Sequence, residues 1–110
     1  MVSAFSVLAD RHRRGILDLL RERPRSVGEL VQQMGLTQPG TSKHLRVLRE
    51  AGLVSVRRQA QRRMYELRPE ALAEVDTWLA PYRRLWDDRF DALERHLDTM
   101  PERGEGSGRT

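Results

Sequence analysis

The chain has 110 residues, 33% of them charged and 38% hydrophobic, and no cysteine. That length supports one buried core but not two. The lack of thiols excludes disulfides, thiolate metal sites and thiol redox switches. No apolar run reaches bilayer-spanning length. MVSAFSVLADRHRR at the N-terminus lacks the order of a signal peptide, whose charges precede its apolar stretch, so a cytoplasmic location is expected.

The net charge of +4 conceals an asymmetry. Met1 to Arg68 holds 14 basic and 6 acidic residues, a net of +8, whereas Pro69 to Thr110 holds 6 and 10, a net of −4. The first part suits a polyanion, and the second would be repelled by one. Nineteen of the 20 basic residues are arginine, a side chain matched to bidentate phosphate and guanine contacts. A GC-rich codon bias accounts for that ratio more simply, but it does not account for the split between the two halves.

In chain order, Ser3 to Ala9 is a short helical candidate, with Phe5, Leu8 and Ala9 apolar. Asp10 reads as the cap of a second helix through about Arg23, buried along Ile16, Leu17, Leu19 and Leu20 and ended by Pro24. Ser26-Val27-Gly28-Glu29 is a capping box opening a third helix, with Leu30, Val31 and Met34 on its apolar face. Gly35 stops that helix, and Leu36-Thr37 leads directly into a fourth. Two helices joined by so short a turn form a helix-turn-helix unit.

The fourth helix, within TQPGTSKHLRVLREAGL (Thr37 to Leu53), is the most informative segment. Thr37 is a capping residue, Pro39 falls in the first turn where a missing N–H costs nothing, and Gly52 suits a left-handed C-terminal cap. At 100° per residue, Thr41, Leu45 and Leu48 point one way, while Gln38, Pro39, Ser42, Lys43 and Arg46 spread over the opposite side. Those outward groups are cationic or hydrogen-bonding, as base edges and phosphates require. Taken alone, the same pattern also describes an ordinary amphipathic surface helix.

Beyond Gly52 the period changes to two. Val54 and Val56 alternate with Ser55 and Arg57, and Tyr65 and Leu67 with Glu66 and Arg68. A two-stranded hairpin is expected, tipped by Gln59-Ala60-Gln61 and lined by Arg57, Arg58, Arg62 and Arg63. The competing reading is an unpaired charged loop, since the tip lacks the Gly, Asn or Asp that tight hairpin turns favour. Pro69 starts the last helical region, where apolar residues recur from Leu72 and Val75 through Leu79, Tyr82, Trp86, Phe90, Leu93 and Leu97 to Met100. Trp78 and Leu85 add a second flank. Pro81 predicts a kink or a new helix start. PERGEGSGRT, residues 101–110, is polar and Gly-rich and expected to be disordered.

This order of elements is that of a winged helix-turn-helix: mainly α with a small β-hairpin wing. The stretch from Leu8 to Leu67, above all SKHLRVLREAGLV (Ser42 to Val54), resembles the ArsR family of bacterial winged-helix repressors. WLAPYRRLWDDRFDALERHL, Trp78 to Leu97, resembles a cysteine-free subgroup. The resemblance implies one DNA-binding and dimerisation domain over residues 1–100, with the wing at about 53–68 and terminal dimerisation helices at about 69–100. It also implies a homodimeric repressor on double-stranded DNA. A two-fold dimer predicts an operator that is an imperfect inverted repeat.

Carried over by position, Gln38, Pro39, Ser42 and His44 match the family's major-groove readers, with Lys43 and Arg46 beside them. His44 lies nearer the helix flank, and packing against a neighbouring helix is an equal reading for it. Arg57, Arg58, Arg62 and Arg63 match the wing, although its tip departs from the glycine often present there. Trp86, Phe90, Leu93 and Leu97, with Phe5 and Leu8 of the first helix, are the expected dimer contacts.

No cofactor and no metal site are expected. The third helix has no thiolate, His96 lacks a second imidazole at helical spacing, and the histidines occupy different segments. Asp87, Asp88 and Asp91 read as a solvated face rather than a cation site. Direct response to zinc, cadmium, arsenite or oxidants is therefore not expected, and the inducer is not legible. No Ser/His/acid arrangement, Gly-rich phosphate loop or apolar carboxylate pair points to an enzyme. The alternative function is a winged-helix protein-interaction module that does not read DNA; the basic asymmetry weighs against it.

Overall fold

A computed structural model describes residues 3–99. The chain divides into two units, residues 1–77 and 78–110. In the first unit, helix α1 (Ala4–Leu8) is followed by α2 (Arg11–Glu22), strand β1 (Arg25–Ser26), α3 (Val27–Met34) and α4 (Gln38–Glu50). Strands β2 (Val54–Gln59) and β3 (Arg62–Leu67), a 3-10 turn at Pro69–Leu72 and the start of α5 (Ala73–Thr99) complete it. The remainder of α5 belongs to the second unit. Met100 and the PERGEGSGRT tail lie outside the described residues.

Helices α1 to α4 begin where the capping chemistry directs. Ser3 accepts the Ser6 amide at 3.2 Å, Asp10 Oδ1 accepts those of His12 and Arg13 at 2.8 and 3.2 Å, and Thr37 accepts that of Gly40 at 3.1 Å. Ser26 and Glu29 complete the reciprocal capping box of α3. These side chains satisfy amides that have no partner within their own helix. At the other end of α4, Gly52 N–H donates to Arg49 O at 2.9 Å and Leu53 N–H to Leu48 O at 3.0 Å. With Gly52 at φ 78, this is a Schellman ending.

The core gathers Ile16, Leu17 and Leu20 of α2, Leu30 of α3 and Leu45 and Leu48 of α4 beneath Leu53, Val54 and Tyr65. Leu19, predicted in the α2 stripe, packs at its margin. In α1 the buried residues are Ala4 and Val7, while Phe5 stays 42% exposed.

The sheet has the order β1-β3-β2, one strand more than the predicted hairpin. Arg25 and Ser26 pair with Tyr65 and Met64. A two-residue strand carries no periodicity of its own; its identity comes from β3 beside it. Within the wing the register runs from Val54 opposite Leu67 to Gln59 opposite Arg62, so Ala60-Gln61 forms a two-residue tip. Ala60 takes φ 58, the sign such hairpins need and glycine supplies more readily.

Leu72 and Val75 close over the core of the first unit. A new helix start at Pro81 does not occur: α5 continues through it. The unit boundary instead falls in the preceding turn, where the proline leaves the Thr77 carbonyl without its helical donor. From Trp78 onward most of the large apolar residues are exposed, with Leu79 half-buried. Trp78, Tyr82, Leu85, Trp86, Phe90, Leu93 and Leu97 are all 47–65% accessible. At helical spacing they share a face roughly 140° wide.

Two of the positive-φ positions, Gly52 and Ala60, predict opposite responses to substitution. A Cβ on Gly52 would meet nothing closer than Ala71 Cβ at 3.9 Å, so Gly52→Ala carries a backbone penalty alone, about 1–2 kcal/mol. Ala60→Gly removes that penalty at the wing tip and should leave stability unchanged or raised by up to about 1 kcal/mol. Chemical denaturation of the two variants checks the pair; destabilisation by Ala60→Gly would contradict the turn geometry.

Candidate nucleic-acid interface

Rotation of α4 determines what it offers. Thr41, Leu45 and Leu48 are 0%, 1% and 0% exposed. Gln38, Pro39, Ser42, Lys43 and Arg46 lie exposed on the other side. Thr41 is satisfied in the core because its hydroxyl donates to Thr37 O at 2.8 Å. The outward side carries no acid until Glu50, the last residue of the helix. Its first turns therefore present donors and cations unopposed.

His44 departs from this group. It is half-buried, and its ring lies 5.7 Å from that of His12, tilted by 46°. The expectation that the histidines do not cluster is overturned here. Packing of α2 against α4 brings together residues 32 positions apart in sequence. Asp10 joins them, so Asp10, His12 and His44 offer ligand atoms within 4.8 Å of one another. Asp87, Asp88 and Asp91 are exposed on α5.

Paired strand positions divide the four wing arginines two by two. Arg58 and Arg63 sit opposite each other on the face that carries Val56 and Tyr65, beyond the end of the core. Among the described residues neither comes within ion-pair distance of an acid. Arg57 and Arg62 lie on the other face and are engaged. Arg57 contacts Glu66 at 3.4 Å and Gln59 Oε1 at 2.8 Å. Arg62 donates to Ser26 Oγ at 2.9 Å and lies 3.5 Å from Glu29. The wing is thereby tied to the start of α3. A groove between wing and helices is lined by Gln38, Ser42, Gln61, Arg62 and Arg63.

Several other arginines are structural, which the charge count did not reveal. Arg25 is 7% exposed, donating to Leu19 O at 3.1 Å and pairing with Glu22 at 2.7 Å. Arg13 Nε and an Arg14 guanidinium nitrogen donate to the Val7 and Leu8 carbonyls, at 3.0 and 2.7 Å. These bonds satisfy the C-terminal end of α1.

The profile of the family described as bacterial regulatory protein, arsR family, matches residues 10–56. The chain is 42% identical over 96 residues to the HTH-type transcriptional regulator Rv2034 of Mycobacterium tuberculosis, covering 87% of each. It is 30% identical over 79 residues to the transcriptional repressor SdpR of Bacillus subtilis, covering 72% of this chain and 88% of the relative. The homodimeric winged helix-turn-helix DNA-binding domain of Mb0332 from Mycobacterium bovis superposes with a TM-score of 0.58 at 28% identity. That match covers 89% of this chain and 82% of the other. The chain belongs to the ArsR family of bacterial regulatory proteins and is a winged helix-turn-helix transcriptional regulator. Among the described residues no helix is long and apolar enough to cross a membrane.

Glu29 links the capping box to the wing, and its ionisation is correspondingly favoured. The Ser26 amide, then the Arg23 guanidinium at 3.1 Å, hold its carboxyl below the ordinary value against the opposing effect of burial. A depressed folded-state pKa contributes stability above the unfolded value, roughly 4.3, that is lost as pH falls through the folded one. Glu29→Gln keeps a side chain able to close the capping box and removes the charge. The stability difference between the parent and this variant should be present at neutral pH and shrink below about pH 4. A difference independent of pH, measured by urea denaturation, would rule out the ionic contribution.

Proposed function

We propose that this chain is a homodimeric repressor that binds an imperfect inverted repeat in double-stranded DNA. The observation that carries the reading is the acid-free outward side of α4 beside the unengaged Arg58 and Arg63. Gln38 is suited to adenine, Arg46 to guanine and Ser42 to either, while Lys43 and the two wing arginines serve phosphates. His44, half-buried against His12, is assigned to the fold rather than to base reading. Pro39 starts the helix and makes apolar contact at the groove edge. The domain organisation follows: residues 1–77 read DNA, and α5 beyond Trp78 pairs two copies.

Selection of binding fragments from genomic DNA, followed by anisotropy titrations at several salt concentrations, tests the reading. Affinity for the selected duplex should fall steeply with salt, since each neutralised phosphate adds nearly one to the log–log slope. Replacing Arg58 and Arg63 with Ala should flatten that slope by about two. Replacing Arg57 and Arg62 should change it by less than about one, because those side chains are held by Glu66, Ser26 and Glu29. Equal effects from the two pairs would show that the wing faces are wrongly assigned. No duplex binding at any salt would leave the protein-interaction module.

Pairing is assigned to the apolar face of α5. Phe90, Leu93 and Leu97 are 65%, 53% and 58% exposed, and Trp86 is 55% exposed. A contiguous apolar face of this kind marks an interaction site. Phe5 and the half-buried Leu8 of α1 are also assigned to contacts between copies. Leu93→Glu with Leu97→Glu should give a folded monomer in sedimentation and greatly weakened binding to the full repeat. A parent protein that stays monomeric at micromolar concentration, while still binding a half-site, would refute the dimer.

A further inference from the structure

The Asp10, His12 and His44 cluster lies outside the proposed DNA-reading side chains and the dimer face. It combines two imidazoles and a carboxylate, a donor set suited to borderline first-row cations rather than calcium or magnesium. We propose that Asp10, His12 and His44 form a binding site for a divalent cation of the zinc class, joining the first turn of α2 to the middle of α4.

The local structure prepares the donors. Both cap hydrogen bonds of Asp10 go to Oδ1, so the carboxylate can hold α2 and still offer its second oxygen. The Arg13 guanidinium, which would oppose a cation, is directed to the Val7 carbonyl at 3.0 Å.

The ligand atoms lie within 4.8 Å of one another, and His12 Nδ1 is 4.0 Å from Asp10 Oδ1. Tetrahedral zinc with bonds of 2.0–2.1 Å separates its ligands by about 3.4 Å. Closing the remaining gap requires side-chain rotation alone. The His12 and Asp10 side chains are 42% and 33% exposed and have room to make it. Water completes the coordination from the exposed side, as at sites with three protein ligands. No cysteine is needed, which is why counting thiols could not find the site.

The full chain is titrated with cobalt(II) as a visible probe, then with zinc(II) in competition, alongside thermal unfolding with and without zinc. One equivalent of cobalt per chain should bind, be displaced by zinc, and raise the unfolding temperature. His12→Gln and His44→Gln should each weaken binding by at least about tenfold, since even losing an outer-sphere partner costs 10–100-fold. Asp10→Asn retains a good capping residue and should weaken binding while leaving the metal-free unfolding temperature nearly unchanged. His96→Gln should bind as the parent does. Absence of saturable binding overturns the proposal, as does parent-like binding by His12→Gln. Loss of binding in His96→Gln alone would place the metal on α5 and overturn it as well. The half-exposed His12 keeps the test decisive if His44→Gln fails to fold.

Discussion

Burial of Thr41, Leu45 and Leu48 is the constraint on which the interface depends. With all three at or near zero exposure, α4 has one allowed rotation. Burying a large apolar side chain is worth about 1.5–3 kcal/mol. Turning the helix far enough to expose two of them would therefore cost a large part of a small domain's stability. Thr37 and Gly52 then limit the helix at both ends. The outward residues are specific as a set because the inward ones are immovable as a set.

The second organising element is the link between wing and helix-turn-helix. A lone two-stranded hairpin is marginal, and this one is supported on both sides. Val54, Val56, Tyr65 and Leu67 join or cover the core, and β1 pairs along β3. Arg62 reaches the Ser26–Glu29 capping box from the outer face. The capping box thus starts α3 and also positions the wing. In exchange, Arg62 is no longer a free cation, and the positive charge of the wing is concentrated on Arg58 and Arg63.

Arginine in this chain serves two purposes that composition cannot separate. Arg13, Arg14 and Arg25 donate to the backbone carbonyls of Val7, Leu8 and Leu19, whereas Lys43, Arg46, Arg58 and Arg63 stand exposed. The net of +8 over the first 68 residues overstates the charge available to a polyanion. α5 divides in a comparable way along its apolar seam. Leu72 and Val75 are used by the core of their own unit, and from Tyr82 to Leu97 the same periodicity is exposed.

Features governed by neighbours along the chain were legible in the sequence. The caps at Asp10, Ser26 and Thr37, the helix stop at Gly35, the left-handed turn at Gly52, the buried side of α4 and the alternation of β2 and β3 all depend on interactions within about four residues or on simple periodicity. Features governed by residues distant in sequence were not. Strand β1 exists only because β3 runs beside it. Which side of α1 is buried and which wing arginines are engaged were decided by packing, and the continuation of α5 through Pro81 was not given by the residue type. His12 and His44 come together only because two helices cross, and nothing in the spacing of 32 residues signals it. Short-range hydrogen bonding and hydrophobic period are encoded locally; the pairing of side chains across elements is set by the packed arrangement of the elements themselves.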